Sequence, residues 1–217
     1  MTARRNLIQI WLLCAAMLPA VVQGQFTFTT NNDSSLNIYQ YTGSGGTVVI
    51  PDTTNDLPVT SIGDEAFEAC TNLTSVTIPN SVISIGAGAF SGCLQLTNVT
   101  MGNGVSTIGH EAFSDCFLLS SIVLGTNITR IEFQAFNLCF SLTSLAIPDS
   151  VTNIEGSVFW DCGLTSITIP DSVTGNLPQF LGCGYLTNVV TGNGVTNIVP
   201  WAFEDCIRLA RAFQLNL

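Results

Sequence analysis

The sequence is poor in charge, above all in positive charge. It contains no lysine, five arginines and one histidine, and only 9% of its 217 residues are charged. Ordinary soluble domains carry about 25% charged residues, so threonine, serine and asparagine must cover most of this surface. Five arginines cannot neutralise a phosphate track, which excludes nucleic acid as a partner. A hydrophobic content of 47% excludes a disordered acidic chain.

Residues 1–24 are organised like a secretory signal peptide. Two arginines precede an apolar run over residues 7–22, and small residues at Val22 and Gly24 precede a cleavage site at Gln25. A retained N-terminal anchor is the alternative. No later run is long and apolar enough to span a bilayer, so no membrane insertion is expected after cleavage. The remaining chain has three arginines against fifteen acidic residues, and its net charge of −12 favours a monomer or weak self-association.

The cysteines after residue 24 recur at a nearly constant interval. Successive spacings are 23, 23, 23, 23, 21 and 23 residues, for the cysteines at 70, 93, 116, 139, 162, 183 and 206. A fixed period of this length is typical of a solenoid, in which each repeat is one coil. Phenylalanine and leucine columns keep the same interval as the cysteines. The sequence therefore predicts a solenoid of about seven coils over residues 47–209.

Each repeat has two halves with different hydrophobic periods. Residues 73–78 alternate apolar and polar side chains, which predicts a short strand with one buried face. A proline or glycine ends that strand. In the second half, Ile62, Phe67 and Cys70 are spaced as on one side of a helix, which predicts one or two helical turns. Strand, turn and short helix in parallel register predict an α/β solenoid with stacked strands.

The repeat pattern L-x-x-V-x-I-P-x-S-V-x-x-I-G-x-x-A-F-x-x-C resembles the BspA-like class of leucine-rich repeats. This resemblance implies a right-handed coil with a parallel β-sheet on its concave face and short helical turns on its convex face. It also implies a secreted or surface protein that acts in adhesion and protein binding, with no catalytic residues to carry over. Residues 175–180 depart from the pattern, which predicts a local distortion. Residues 210–217 form a C-terminal remnant without a recognisable cap.

Residues 25–46 are not a repeat. Two alternating segments, residues 26–30 and 36–41, are separated by a run of Asn, Asp and Ser, which is typical of a turn. We interpret this region as a small β-meander that caps the open N-terminal end of the core, as terminal units of solenoids require. Residues 47–50 align with the repeat strand instead.

The chemistry-bearing residues favour structural roles over catalysis. Seven cysteines remain after residue 24, and an odd number leaves at least one unpaired within the chain. Buried thiols that act as small apolar side chains are the preferred interpretation; disulfides between adjacent coils and a zinc or redox role are alternatives. There is no C-x-x-C motif, and His110 has no recognisable nucleophile or orienting group. We therefore predict neither an enzyme nor a cofactor or metal site.

Two surfaces are candidate contact sites for a protein partner. The first is the polar side of the repeat strand, formed by Ser75, Thr77, Asn98, Thr100, Ser121, Ser144, Ser166, Thr168 and Asn188. Strand propensity alone is the other explanation of its composition. The second lies at the residue after each cysteine, which is usually Thr or Ser in the class that this chain resembles. It is formed by Leu94, Phe117 and Phe140, and Leu118 extends it. Rings that fold inward and thicken the core are the alternative.

The function predicted from these features is a secreted or cell-surface, non-enzymatic scaffold for protein recognition or adhesion. Its partner is an unidentified protein, from a host or from an envelope. The alternatives are a structural or truncated repeat module without a specific ligand and, more remotely, a secreted hydrolase.

Overall fold

The fold is a solenoid of about seven coils, seen in a computed structural model that describes residues 25–209. The predicted signal peptide and the C-terminal remnant lie outside the described residues. We number the coils 1 to 7 by their cysteines, Cys70 to Cys206. The strands are β1 Phe26–Thr30, β2 Leu36–Tyr41, β3 Gly46–Val49, β4 Thr53–Thr54, β5 Leu57–Ile62, β6 Leu73–Ile78, β7 Ser84–Ile85, β8 Asn98–Met101, β9 Thr107–Ile108, β10 Ser121–Val123, β11 Arg130–Ile131, β12 Asn153–Ile154, β13 Ser166–Ile169, β14 Gly175–Asn176, β15 Asn188–Thr191 and β16 Val195–Asn197.

Two parallel ladders run along the solenoid. The long-strand sheet contains β3, β6, β8 and β10 and resumes with β13 and β15. The short-strand sheet contains β2, β5, β7, β9, β11 and β12 and resumes with β14 and β16. Pairing follows the repeat interval, because Ser75 faces Asn98 and Asn98 faces Ser121 in adjacent strands. The predicted period therefore is the coil length of the fold.

The N-terminal region is an antiparallel hairpin of β1 and β2, and β2 then pairs in parallel with β5. The hairpin places Tyr41 against the first coil, where its ring stacks on Phe67 with centroids 4.8 Å apart. β3 belongs to the long-strand sheet, where it pairs with β6. Aromatic burial at this end shields the first phenylalanine of the core column from water.

The predicted short helices are not formed, and the second half of each repeat consists of hydrogen-bonded turns. Apart from Gln25 at the start of the described residues, only residues 207–209 are helical in the part of the chain that the structure describes. The amides of Glu65, Phe67 and Ala69 donate to carbonyls of the next coil, whereas the amides of Ala66 and Glu68 donate to the third residue before them. Because successive amides alternate between acceptors in the next coil and acceptors three residues earlier, the continuous i to i−4 bonding of a helix is excluded.

The backbone dihedral angles also show that the second half of each repeat consists of turns and not of a helix. Two residues in each turn have positive φ in every coil except coil 6, as at Glu65 with 56° and Ala69 with 52°. Positive φ is unfavourable for residues other than glycine, so the hydrogen bonds between coils must outweigh the strain. The apolar spacing that predicts a helix instead directs Ala, Phe and Cys into the core through two consecutive turns.

The core is a set of stacked columns along the solenoid axis. The six phenylalanines from Phe67 to Phe180 are fully buried, and their neighbouring rings stack with centroids 4.7 to 6.2 Å apart. Leucines such as Leu96 and Leu119 form a second buried column. Because each ring packs between rings of the adjacent coils, no coil can bury its own core alone.

Both sheets are interrupted near coils 5 and 6. The short-strand sheet breaks between β12 and β14, at the departure from the repeat pattern that the sequence shows over residues 175–180. Gly175 has a φ of 87°, and the register between β14 and β16 shifts there. The long-strand sheet breaks at residues 143–147, which form no strand although their sequence has the strand pattern. The strand predicted in coil 5 is therefore wrong.

Candidate protein-contact site

The apolar residues that follow the cysteines form a row on the outside of coils 2 to 4. Leu94 is 37% exposed, Phe117 36% and Phe140 51%, and the adjacent Leu118 is 42% exposed. The rings of Phe117 and Phe140 lie one above the other, with centroids 5.3 Å apart. The rings therefore do not fold completely inward, although about two thirds of Phe117 and half of Phe140 are covered. We call Leu94, Phe117, Leu118 and Phe140 the post-cysteine stripe.

The local backbone explains why these side chains face solvent. The amides of Leu94 and Phe140 donate to the carbonyls of Gly92 and Leu138, two residues earlier, at 2.8 and 3.0 Å. Such a tight reversal directs the cysteine inward and the following residue outward. The chain then turns back into the core at the next leucine of the buried column. A polar residue is therefore expected here, and coils 2 to 4 carry apolar ones instead.

Glycines end the stripe towards the C-terminus. Gly163 and Gly184 occupy the position after the cysteine in coils 5 and 6. The amide of Gly163 donates to the Cys139 carbonyl of the preceding coil at 3.1 Å. A Cβ atom at Gly163 would overlap the carbonyl oxygen of Phe140, whereas a Cβ atom at Gly184 would have its nearest neighbour 3.9 Å away. Coil 5 therefore approaches coil 4 too closely at this point for any side chain.

Alanine substitutions at these two glycines should differ strongly in their effect on the free energy of unfolding. Gly163→Ala should lower the free energy of unfolding by about 3 kcal/mol, because the methyl group forces the main chains of two coils apart. Gly184→Ala is the matched control, and it should change that free energy by less than about 1 kcal/mol, with stabilisation possible through the unfolded chain. Urea unfolding followed by circular dichroism measures both variants. Equal losses in the two variants would contradict the close approach at Gly163.

The cysteine column lies inside the core and is separate from the stripe. Six of the thiols are buried, and Cys70 in the first coil is half-buried. Each buried thiol donates a hydrogen bond to the carbonyl of a core phenylalanine in the preceding coil, as from Cys93 to Phe67 at 3.1 Å and from Cys139 to Phe113 at 3.2 Å. All seven are free thiols in this structure. Cysteine is suited to this position because it is a small apolar side chain with a weak donor.

Burial also changes the acidity of these thiols. Desolvation raises the pKa of Cys93 to about 12, and it raises the pKa of Cys116 and Cys139 well above the ordinary value. A thiolate is the reactive form of cysteine, so these residues are unreactive at neutral pH. The column has the properties of a structural element.

The polar candidates on the long-strand sheet share one face. Ser75, Thr77 and Asn98 are half-buried, and the other candidates are exposed: Thr100, Ser121, Ser144, Ser166, Thr168 and Asn188. Strand pairing brings together Ser75, Asn98 and Ser121, and likewise Ser166 and Asn188. Ser144 lies in the unpaired segment of coil 5 and is not part of either ladder.

The hydroxyl groups at the start of these strands have a structural role that the sequence did not reveal. Thr97 donates from Oγ1 to the Thr74 carbonyl at 3.0 Å, and Thr187 donates to the Thr165 carbonyl at 2.9 Å. Ser106 and Thr129 make the same bond in a second column. Many Thr and Ser residues are thus required by bonds between coils, which strand propensity does not explain.

The single histidine and the acidic residues likewise contact neighbouring coils. The ring of His110 stacks on Phe133 with centroids 5.5 Å apart, and its Nε2 lies 3.1 Å from Oε1 of Glu111. The carboxylates of Glu132 and Glu155 accept hydrogen bonds from the amides of His110 and Phe133. Within residues 25–209, no three His, Cys, Asp or Glu side chains are grouped as metal ligands.

No helix in the described part of the chain is long and apolar enough to cross a membrane. Stacked coils of about 23 residues with parallel ladders and columns of Phe, Cys and Leu define a leucine-rich repeat solenoid. The family model of the BspA type leucine rich repeat region matches residues 60–176 and 176–214, in six copies. The chain therefore belongs to this family.

Solved structures of bacterial leucine-rich repeat proteins have the same fold. The T. pallidum leucine rich repeat protein is 31% identical, with 88% of this chain and 93% of that chain covered and a TM-score of 0.81. A leucine rich cell surface protein from Faecalibacterium prausnitzii is also 31% identical, with 77% and 53% covered and a TM-score of 0.57. A protein from Bacteroides ovatus, 24% identical with 83% and 55% covered and a TM-score of 0.62, shares the fold. No curated protein is significantly similar to the chain.

Proposed function

We propose that this protein is a secreted or cell-surface, non-enzymatic scaffold that recognises a protein partner through the post-cysteine stripe. The observation that carries this proposal is the exposure of Phe117 and Phe140 as a contacting pair of rings. Four adjacent apolar side chains give a patch of about 300 Å², a size at which exposed patches indicate interaction sites. Aromatic anchors dominate the binding energy of protein interfaces.

Family membership and charge support the same function. The chain belongs to the BspA type repeat family, and one of the similar solved structures, 31% identical, is that of a protein described as a leucine rich cell surface protein. We propose an extracytoplasmic location for this chain as well, with the sequence of residues 1–24 as the export signal. A net charge of −10 without any lysine favours a partner that is basic or neutral at the contact.

Replacing both rings of the stripe should separate binding from folding. In the variant Phe117→Ser with Phe140→Ser, we expect partner binding to weaken at least about tenfold, because anchor residues carry most of the binding energy. Because both rings are still partly covered, the substitutions should also lower the melting temperature, and Phe133→Ser, at a ring that is 38% exposed, measures how much loss comes from such partial burial alone. Capture from host or envelope extracts, followed by titration with the captured protein, measures the first effect.

Phe133→Ser is the matched control, because Phe133 is a similarly exposed ring outside the stripe. This control should bind the captured partner as the wild type does. Saturable binding that survives loss of both stripe rings would contradict the assignment of the stripe as the contact site. Absence of any saturable partner would favour the purely structural module instead.

A further inference from the structure

Coil 5 contains an opening in the long-strand sheet. Residues 144–147 have the same strand pattern as the other coils, yet their amides and carbonyls make no hydrogen bond to any group within residues 25–209. Leu145 of this segment is buried, but Ile122, Leu124 and Ile147 around it are only partly buried, whereas residues at the corresponding positions of other strands, such as Val99 and Ile169, are buried. Consecutive unpaired backbone groups are rare in folded proteins.

The opening is bounded on both sides by hydrogen bonds between coils 5 and 6. At one end, the Thr165 amide donates to the Thr143 carbonyl at 3.0 Å. At the other end, the Ser172 hydroxyl donates to the Val151 carbonyl at 2.6 Å. Between them lies a groove of about 500 Å³. Because both ends are held, the groove is a defined feature of the folded chain.

The groove combines backbone groups with a free carboxylate. Its lining includes Ser144, Ala146, Asp149, Ser166 and Thr168, and no aromatic residue. Asp149 is exposed and forms no ion pair or hydrogen bond with any residue of the described chain. The equivalent Asp171 in the next coil differs, because its Oδ1 accepts a hydrogen bond from the Asn193 amide at 2.7 Å. Asp149 therefore has an unused acceptor at the end of the groove.

We infer that this groove binds an extended segment of a protein partner that carries a lysine or arginine side chain. The inference rests on the proposed function in protein recognition, and it names a second contact on another face of the same scaffold. A row of alternating amides and carbonyls is complementary to another extended main chain, as in recognition by strand addition. Residues 144–149 span about 20 Å when extended, which accommodates about six residues. The basic side chain pairs with Asp149, and the acidic surface of the scaffold attracts it.

A peptide array tests this inference directly. The labelled protein is applied to several thousand random heptapeptides, and the strongest binders are resynthesised for titration. We expect the bound peptides to be enriched in lysine or arginine, and we expect methylation of their central amides to weaken binding about tenfold, because the donors to residues 144–147 are lost. Amide resonances of residues 144–147 and of Asp149 should shift on titration.

Variants of the protein supply the specificity controls. Asp149→Asn should weaken binding of the best peptide about fivefold through loss of the charge pair. Asp171→Asn, in the same Pro-Asp-Ser context one coil later, should leave binding unchanged. Absence of any bound peptide, equal affinity for Asp149→Asn and wild type, or shifts confined to the stripe would each overturn the groove assignment. Partner binding that depends on Phe117 and Phe140 would stand in all of these cases, so failure of the groove and failure of the proposed function are distinguishable.

Discussion

Raising the pH from about 7.5 to about 9.5 should lower the free energy of unfolding by about 5 kcal/mol through four buried thiols alone. Burial raises the pKa of Cys93 to about 12 and raises the pKa of Cys116, Cys139 and Cys183 as well. In the unfolded chain a cysteine has a pKa of about 8.5. Above that value the unfolded chain releases protons that the folded protein retains, so stability falls as the pH rises.

Each thiol contributes slightly more than about 1 kcal/mol to this loss over the interval. Because a domain is stable by only about 5 to 15 kcal/mol, alkaline conditions alone should bring the protein close to unfolding. Urea unfolding at several pH values measures the effect, with a reductant present because thiolates of the unfolded chain form disulfides in air.

A variant with fewer buried thiols is the control for this pH dependence. Burial also raises the pKa of Cys70 and Cys206. Cys116→Ala combined with Cys139→Ala therefore removes two of six groups, so the fall in stability between the two pH values should be about a third smaller. Both substitutions also remove a hydrogen bond to a phenylalanine carbonyl, so the comparison concerns the slope with pH and not the absolute stability. A free energy of unfolding that stays constant up to about pH 9.5 would show that the thiols already ionise in the folded state.

Phe113→Ala should lower the free energy of unfolding by about 3 to 5 kcal/mol, as expected for a large side chain removed from a core. Phe113 is fully buried, and its ring stacks between Phe90 and Phe136 with centroids at 5.1 and 5.7 Å. The resulting cavity is enclosed by coils on both sides, so the surrounding residues cannot collapse into it. Urea unfolding followed by circular dichroism measures this loss.

The comparison for Phe113 is the equivalent phenylalanine at the C-terminal end of the solenoid. Phe203 occupies the same column in coil 7 but is only partly buried, and within the described residues its ring stacks on Phe180 alone, at 5.7 Å. Phe203→Ala should therefore cost less, roughly 1 to 2 kcal/mol, because a terminal coil opens locally. Equal losses at the two positions would contradict a stability that is the sum of contacts between neighbouring coils.

The candidate site shows which of its properties the repeat pattern predicts and which it does not. The position after the cysteine is recognisable from the repeat, and its apolar occupants Leu94, Phe117 and Phe140 are visible as departures from it. Their exposure could not be read from the pattern, because an apolar ring is equally compatible with the core. The turn geometry decides this point, since the amide of Phe140 bonds to the Leu138 carbonyl and directs the ring outward.

The incorrect predictions concern hydrogen bonds between coils. Ile62, Phe67 and Cys70 are spaced as in a helix, but the amides between them pair with coil 2. Residues 143–147 are patterned as a strand, but residues 144–147 make no backbone hydrogen bond to either neighbouring coil. Hydrophobic periodicity records which side chains are buried, and it contains no information on which carbonyl an amide will reach.

The amino-acid sequence by itself determined the number of coils, their length and the side chains of the core. It could do so because a coil buries its apolar residues only when the same columns recur in its neighbours. The tertiary structure alone decided the turns, the exposure of the stripe and the opening in coil 5. Those features depend on distances between coils, and a shift of about one residue in register changes every hydrogen bond between two coils while leaving the hydrophobic pattern of each coil unchanged.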